Sequence, residues 1–578
     1  MEEITPELIA RMASRIYNET PQTHGLPTSG TLPELPSAPT TVAAMPEHMG
    51  GIPVSVGSMP QVAPLPGFAS LPTVASVPSF PEIGTLPGFH NLPSASPWGA
   101  QSHSSAPTIP EESAIPGFAN NPPASSDSTT GLSAFVRSIR QTNYSGRQSC
   151  LDPSKQRGRE RQSTSQLVPV SGARPLDVPA IREDFPILRQ KINGKPLVWF
   201  DNAATTQKPQ SVIDAVSRFY EQDYSNIHRG AHSLAARATD AYEKAREKVQ
   251  SFLGAASIKE IVFVRGTTEG INLVARTFGQ KFLQPGDEVV LSTLEHHAQI
   301  VPWQMVAKEK GAVLRVIPVN DRGEIMMEEY QRILGPRTKV VALTQASNSL
   351  GTILPVEEMT QMAKRYGARV VIDGAQSVAH IPVNIQTMGA DFFVFSGHKI
   401  FAPTGIGAVY IREELHDLLP PWQGGGNMIR NVTFEETSYA DVPARLEAGT
   451  PSIADAVGLG AALDYVNRIG LPNIAAYEHE LLQYATEGLS QINGLRLIGT
   501  AKEKVSVLSF VLANRSTEDV GRLLNQEGIA VRAGHHCSQP SLRRFGVEST
   551  VRPSLTFYNT RGEIDRLVEA MKRIQVLP

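Results

Sequence analysis

Val394-Phe-Ser-Gly-His-Lys399 is entered through Phe392 and Phe393 and left through Ile400. The apolar run Phe392 to Phe395 predicts a buried strand, and Ser396, Gly397 and His398 predict the turn at its end. A lysine just past such a turn can serve as a covalent anchor. Working outward, the same punctuation recurs. After a strand ending at Val264 comes Arg265-Gly-Thr-Thr-Glu-Gly270, leading into a helix. After Leu291 comes Glu295-His-His297, after Leu343 comes Ser347-Asn348, and after Ile372 comes Asp373-Gly-Ala-Gln376. In an open α/β sheet, ligand groups gather just past the carboxyl ends of the strands, so five such motifs in succession predict one site.

The strands Glu260 to Val264, Glu288 to Leu291, Lys339 to Leu343, Arg369 to Ile372 and Phe392 to Phe395 are continuous apolar runs, which suit a parallel sheet covered on both faces. Helices are expected over Pro209 to Gln222, Asp240 to Phe252, Glu269 to Phe278 and Val356 to Tyr366. Near the C-terminus, Val505 to Leu512 reads as a strand. Ser516-Thr-Glu-Asp519 reads as a capping box opening a helix, and a last helix runs from Glu563 to about Ile574. The expected fold is α/β, with a large cofactor-binding domain over 176–455 and a smaller α+β domain over 456–578. The first residues of the large domain are expected to pack on the small one.

The chain has 578 residues and a net charge of −3, which gives no reason to expect nucleic acid or an anionic membrane as partner. Its two cysteines, Cys150 and Cys537, exclude a disulfide-rich secreted scaffold and suit a reducing cytoplasm. The first thirty residues lack the apolar core of a signal peptide, and no run of about 20 apolar residues suggests a membrane span. No metal site is expected.

The first 175 residues differ in texture. Of the 44 prolines, 22 fall in the first 150 residues, and no Lys or Arg occurs between Arg15 and Arg137. Such a Pro-, Ser- and Gly-rich segment buries too little apolar surface to offset its chain entropy and is expected to be disordered. Short amphipathic helices are expected near 5–18 and 132–140. Leu65-Pro-Gly-Phe68, Leu86-Pro-Gly-Phe89 and Ile115-Pro-Gly-Phe118 repeat one frame, with Val77-Pro-Ser-Phe80 as a looser relative. Several weak copies on one chain suit avidity for a partner that carries many identical pockets.

The strand-end groups fit pyridoxal 5'-phosphate. That cofactor needs a lysine anchor, an acid beside its ring nitrogen and a phosphate cup. Lys399, Asp373 and the Gly266 to Gly270 loop with Ser396 and His398 supply those parts. Together with Asp201-Asn-Ala-Ala204, Asn226-Ile-His-Arg-Gly230, Glu447-Ala-Gly-Thr450, Arg532-Ala-Gly-His-His-Cys537 and Arg552-Pro-Ser554, they resemble fold-type I enzymes of the class V aminotransferase group. The resemblance is closest to the Suf-type (group II) cysteine desulfurases and runs from about Ile181 to Leu577.

The resemblance implies that His296 stacks on the cofactor ring, Asp373 pairs with its nitrogen and Gln376 contacts its phenolate oxygen. It implies that Thr267, Thr268, Ser396 and His398 hold the phosphate, joined by Thr450 from the other subunit of a homodimer. Arg552, helped by Asn348 and Arg532, would bind the substrate carboxylate, and His228 would lie near the substrate amine and sulfur. Cys537 would be the nucleophile that takes sulfur from L-cysteine as a persulfide, leaving L-alanine. His535, His536 and Arg532 are expected to give Cys537 a polar setting that can become cationic. The sulfur would pass to an acceptor protein or small thiol. Selenocysteine lyase activity uses the same constellation, and a scaffold built around the tail is a reading from another class.

Two departures from the family pattern stand out: Ser538 where Ala commonly follows the cysteine, and Pro553 after the arginine. The tail is a third. It resembles the targeting extension of desulfurases that are cargo of family 2 encapsulins, which implies a shell protein as partner and residence inside a cytoplasmic nanocompartment.

Overall fold

A computed structural model describes residues 174–577 apart from Arg229. The tail repeats, the two tail helices and Cys150 lie outside the described residues. Seven strands form the main sheet: β1 Ile261–Val264, β2 Glu288–Ser292, β3 Val313–Ile317, β4 Thr338–Thr344, β5 Arg369–Asp373, β6 Phe392–Ser396 and β7 Gly407–Ile411. Their order is β1-β7-β6-β5-β4-β2-β3. All neighbours are parallel except β7, which runs antiparallel to both β1 and β6. Every residue of β1, β2, β6 and β7 is buried, the signature of a sheet covered on both faces. The edge strand β3 is instead largely exposed, and its short mixed sequence did not mark it as a strand.

Helices cover the sheet and end in recognisable ways. Ser233–Leu253 (α1) begins seven residues before the expected start at Asp240, because His232 caps it by accepting the Ala235 N–H. Thr267–Val274 (α2) lies close on the strands, and a Cβ on Gly270 would sit 2.7 Å from Val409 Cγ2 and 3.2 Å from Val394 Cγ1. Glycine there lets the helix approach. Gly407 does the same for the loop before α2: a Cβ would stand 2.4 Å from the Phe395 carbonyl oxygen and 2.8 Å from Gly266 Cα. The remaining helices that frame the site are His297–Lys310 (α3), Ile453–Ile469 (α4), Leu471–Ser490 (α5), Thr517–Gln526 (α6) and Arg561–Val576 (α7). Ser516 caps α6 by accepting the Asp519 N–H. The Asp519 carboxylate returns to the Ser516 hydroxyl, so the expected capping box is half formed.

A second, antiparallel sheet has the order β8-β9-β11-β10, with β8 Leu495–Ile498, β9 Ser509–Leu512, β10 Arg532–Gly534 and β11 Thr550–Arg552. Helices α5, α6 and α7 close its apolar face around Phe510, Val551, Leu567 and Met571. Val198–Trp199 pairs parallel with Ile529–Ala530, a separate two-stranded pair that ties the first described segment to the residues just before β10.

An aromatic cluster locks the junction. Phe185 meets Tyr558 at 4.7 Å, Tyr465 at 5.7 Å, and Phe401 and Phe557 at 6.1 Å, all edge-on. Edge-to-face contacts between buried rings add about 0.5–1.5 kcal/mol each beyond their burial. Phe401 follows the Lys399 turn by two residues, so the cluster fixes that turn against the N-terminal segment, α4 and the C-terminal segment. Among the described residues no helix is long and apolar enough to cross a membrane, and no cluster of ligating side chains could hold a metal ion.

Candidate active site

Lys399 ends a short 3-10 turn, Gly397–Lys399, that continues directly from β6. The turn is tied down from outside. The His398 carbonyl oxygen accepts from Thr206 N and Thr205 Oγ1, both at 3.0 Å. The Lys399 amine sits among protein groups, and burial pushes its pKa below the usual lysine range against the opposing pull of Asp373. A lysine held this way carries a fraction of neutral amine, the form that can bond a carbonyl or take a proton.

Asp373 ends β5, is 4 % exposed and accepts the Ala375 N–H at 2.9 Å. Burial raises its pKa, and the nearby Lys399 opposes that rise. A cationic ring nitrogen would be a natural partner for this carboxylate. Gln376 is buried one turn further on. Its Nε2 meets His380 Nε2 at 3.3 Å while its Oε1 has no partner. His380 Nδ1 in turn meets Glu478 Oε2 at 2.6 Å, so a buried chain runs from Gln376 into α5.

His296 caps α3, accepting the Ala298 N–H at Nδ1 over 3.0 Å. Burial, reinforced by the charge of Lys399, lowers its pKa to about 3. It is therefore a neutral ring with its proton on Nε2. Behind it Glu295 is fully buried, accepts from Ser292 Oγ at 2.5 Å and keeps its proton to a pKa of about 8, chiefly through burial. At the start of α2, Ser396 Oγ lies 2.8 Å from both the Thr267 nitrogen and Thr267 Oγ1. Thr268 is exposed beside it. Burial and the charge of Lys399 hold His398 at a pKa of about 4.

The small sheet brings the other half. Arg532 and Arg552 stand directly opposite each other in the β10–β11 pair, an arrangement that repels unless compensated. Asp201 compensates it, with Oδ2 at 2.8 Å from Arg532 Nη2 and Oδ1 at 3.4 Å from Arg552 Nη2. Arg552 is 3 % exposed, donates from Nη1 to the Asn348 carbonyl at 2.9 Å and leaves its buried Nε without a partner. Burial lowers its pKa to about 10, so it stays cationic at neutral pH. Cys537 is a free, exposed thiol, and the charges of Lys399 and Arg552 both reach it.

Two expectations need correction. His536 does not contribute a cation beside Cys537. It is 8 % exposed, its Nε2 lies 2.8 Å from Thr550 Oγ1, and burial lowers its pKa to about 3. Arg532 is engaged by Asp201 at 2.8 Å, so its charge is compensated. The Asn348 side chain, expected to assist Arg552 on a substrate, has both polar atoms bonded to residues flanking Cys537: Nδ2 to the His536 carbonyl and Oδ1 to Ser538 Oγ, each at 2.7 Å.

His228 and Thr450 are not drawn into the Lys399 group. His228 Nδ1 meets Asn427 Oδ1 at 2.9 Å and its Nε2 meets Glu243 Oε1 at 3.4 Å, and that carboxylate raises its pKa. Asn427 Nδ2 donates to the Glu447 carbonyl, three residues before Thr450. Glu447 itself is buried against Arg246, at 2.6 Å and 3.0 Å. His228 thus belongs to a second patch built on α1 and the Glu447 loop, and Thr450 is exposed three residues past Glu447.

The sequence reading passed over His380, Glu478 and the bridging role of Asp201. The fourth-residue spacing of Gln376 and His380 was the one local signal for that pair. These groups fit pyridoxal phosphate: the Gln376 oxygen and Arg552 Nε are buried and unpaired, Asp373 is buried facing a cation, and the Thr267–Ser396 contact closes a glycine-rich loop at a helix start.

The family model for class-V aminotransferases matches residues 198–567. A cysteine desulfurase of Synechococcus elongatus is 62% identical over 405 residues, covering 70% of this chain and 65% of that protein. The chain therefore spans a little under two thirds of that relative's length. A cysteine desulfurase of Serratia proteamaculans is 50% identical over 398 residues, covering 69% of this chain and 98% of its own length. Among solved structures, cysteine desulfurase CsdA (S-sulfonic acid) from Escherichia coli aligns with a TM-score of 0.66 at 37% identity, covering 70% of this chain and 100% of that one. With its lysine past β6, its acid at the end of β5 and these relatives, the chain belongs to the class-V aminotransferase family of pyridoxal phosphate enzymes, as a homologue of the cysteine desulfurases.

Proposed function

We propose that the protein is a Suf-type cysteine desulfurase that converts L-cysteine to L-alanine and holds the sulfur as a persulfide on Cys537. The observation that carries this reading is a free, exposed cysteine within the electrostatic reach of Lys399 and Arg552. Lys399 would anchor the cofactor, Asp373 would pair with its ring nitrogen, and Gln376 would face its phenolate oxygen. Thr267, Thr268, Ser396 and His398 would hold its phosphate, with neutral His296 against its ring. When bound, pyridoxal phosphate supplies an electron sink for charge developing on the substrate carbons.

Arg552 would clamp the substrate carboxylate through its unpaired Nε and a neighbouring N–H, a bidentate geometry that Lys cannot reproduce. Its mate Arg532 frames the entrance. Lys399, once its amine is free and neutral, takes the Cα proton. The Cys537 thiolate then attacks the substrate sulfur: the S–S bond forms, the substrate C–S bond breaks, the released electron pair takes a proton at the methyl carbon of alanine, and Lys399 returns a proton to Cα. A homodimer is part of this reading. His228 is bonded to Asn427 and Glu243, and Thr450 is exposed, which suits residues that serve a partner's site. The sulfur would then leave to an acceptor protein or small thiol.

We further propose a division into a tail over 1–175, a large domain over 176–455 and a small domain over 456–578, with the tail carrying the enzyme into an encapsulin shell within the cytoplasm. The repeated Leu-Pro-Gly-Phe units support this. Purified protein should be yellow and release alanine from cysteine. Cys537→Ala should lose sulfide production by at least about a thousandfold with its colour intact, and full activity in that variant would exclude the persulfide route. Deleting residues 1–130 should leave turnover nearly unchanged and abolish co-purification with a shell protein.

A further inference from the structure

Cys537 lies in a loop that is costly to hold. His536 has φ +51 and Cys537 φ +53, both in the left-handed region that non-glycine residues avoid. Such a pair persists only when its surroundings over-determine it, and besides Thr550 and the His297 N–H, one side chain from the main sheet's loops does so. Asn348 follows β4, in a loop closed by the Ala346–Ile353 bridge. Its amide brackets the cysteine: Nδ2 donates to the carbonyl of the residue before it, and Oδ1 accepts from the hydroxyl of the residue after it, each at 2.7 Å. The Asn348 carbonyl also accepts from Arg552 Nη1 at 2.9 Å, so one residue registers the thiol loop to the guanidinium.

Ser538 is the chain's own half of this bracket. It is fully buried, and although it precedes the short helix Gln539–Arg544 its side chain does not cap that helix. Its hydroxyl bonds Asn348, with a longer contact of 3.5 Å to the His536 carbonyl. An alanine there would leave Asn348 Oδ1 buried without a donor. Rotating the amide would not repair this, because Nδ2 already serves the His536 carbonyl.

We propose that Asn348 and Ser538 form a two-point clamp, acting as positioning residues that hold the Cys537 thiol beside Arg552 and Lys399. The proposal rests on the reading of Cys537 as the nucleophile, and its test uses no turnover. In the full-length holoenzyme, the rate at which iodoacetamide alkylates Cys537 is followed by peptide mapping, with Cys150 as internal reference. The melting temperature and cofactor absorbance report the fold.

Ser538→Ala should slow alkylation about fivefold, the worth of one hydrogen bond, as the thiol drifts from the two cations, with absorbance unchanged. Asn348→Ala should slow it further, the double variant should match Asn348→Ala alone, and Ser538→Thr should restore the rate. Should Ser538→Ala not fold, Asn348→Ala carries the same test, because it removes the unmatched acceptor. Unchanged alkylation, or single effects that multiply in the double variant, would overturn the clamp. A wild-type enzyme inert towards cysteine but showing this alkylation pattern would sink the desulfurase reading and leave the clamp standing.

Discussion

The Lys399 turn and the Cys537 loop solve opposite problems. Lys399 leaves the end of a fully buried central strand, its preceding carbonyl is held by two threonine groups, and Phe401 pins the turn into an aromatic cluster. Cys537 sits exposed beyond a three-residue strand of the small sheet, in left-handed backbone, held by the Asn348 side chain from the loop after β4 of the main sheet. An anchor that stays bonded to its cofactor can be buried and local. Under the proposed function Cys537 passes its sulfur onward and has to remain accessible; its support comes from behind, through Asn348 and His297, whose N–H donates to the Cys537 carbonyl at 2.8 Å.

The sharpest way to break this contrast is the pair Lys399→Ala and Cys537→Ala. The first should lose covalently held cofactor, with colour removed on desalting, and turnover should fall by about a thousandfold or more. The second should keep the absorbance of the wild type. A Lys399→Ala protein that stays yellow through denaturing desalting would remove the lysine from the anchor role. Next in size is Arg552→Lys, which keeps the charge and discards the fork. KM for cysteine should rise about 10- to 100-fold, as charge-assisted bonds worth about 1.5–3 kcal/mol are lost. A KM within twofold of wild type would show that the carboxylate binds elsewhere.

The smallest effects concern pH, and their sign separates the buried histidines of both regions from the buried Glu295. Folded His536 has a pKa of about 3 against 6.5 for the free side chain. Between those values the unfolded chain binds a proton that the fold refuses, so stability is lost as pH falls below about 6.5. Each such histidine adds at most about 1.4 kcal/mol per pH unit. His296 and His398 act in the same direction. Glu295 acts in the opposite one: with its folded pKa raised from 4.5 to about 8, it loses stability as pH rises through that window. Thermal melts between pH 4.5 and 8.5 should show His536→Asn flattening the acid limb and Glu295→Gln the alkaline limb. Parallel curves for wild type and both variants would refute the burial of these groups in their neutral forms.

Much of the Lys399 side was legible because its information is local. Apolar runs mark the strands, and the residues that follow each run are the ones that converge. The same reading missed the antiparallel insertion of Gly407–Ile411 between β1 and β6, because strand direction leaves no trace in composition. On the Cys537 side, the clustered histidines and arginine suggested a cationic loop. Folding buried His536 against Thr550 and gave Arg532 to Asp201, 331 residues earlier in the chain.

The sequence by itself determined the α/β alternation, the lysine and acid at neighbouring strand ends, the glycines that let a helix start close on the sheet, and the exceptional tail. Each is written in spacing or composition over a few residues. Tertiary structure alone decided which charges face Cys537, that Asn348 grips the loop from 190 residues away, that His380 joins Gln376 to Glu478, and that His228 and Thr450 stand apart from Lys399. Those outcomes depend on burial and on partners distant in the chain, and both exist only once the two sheets have packed.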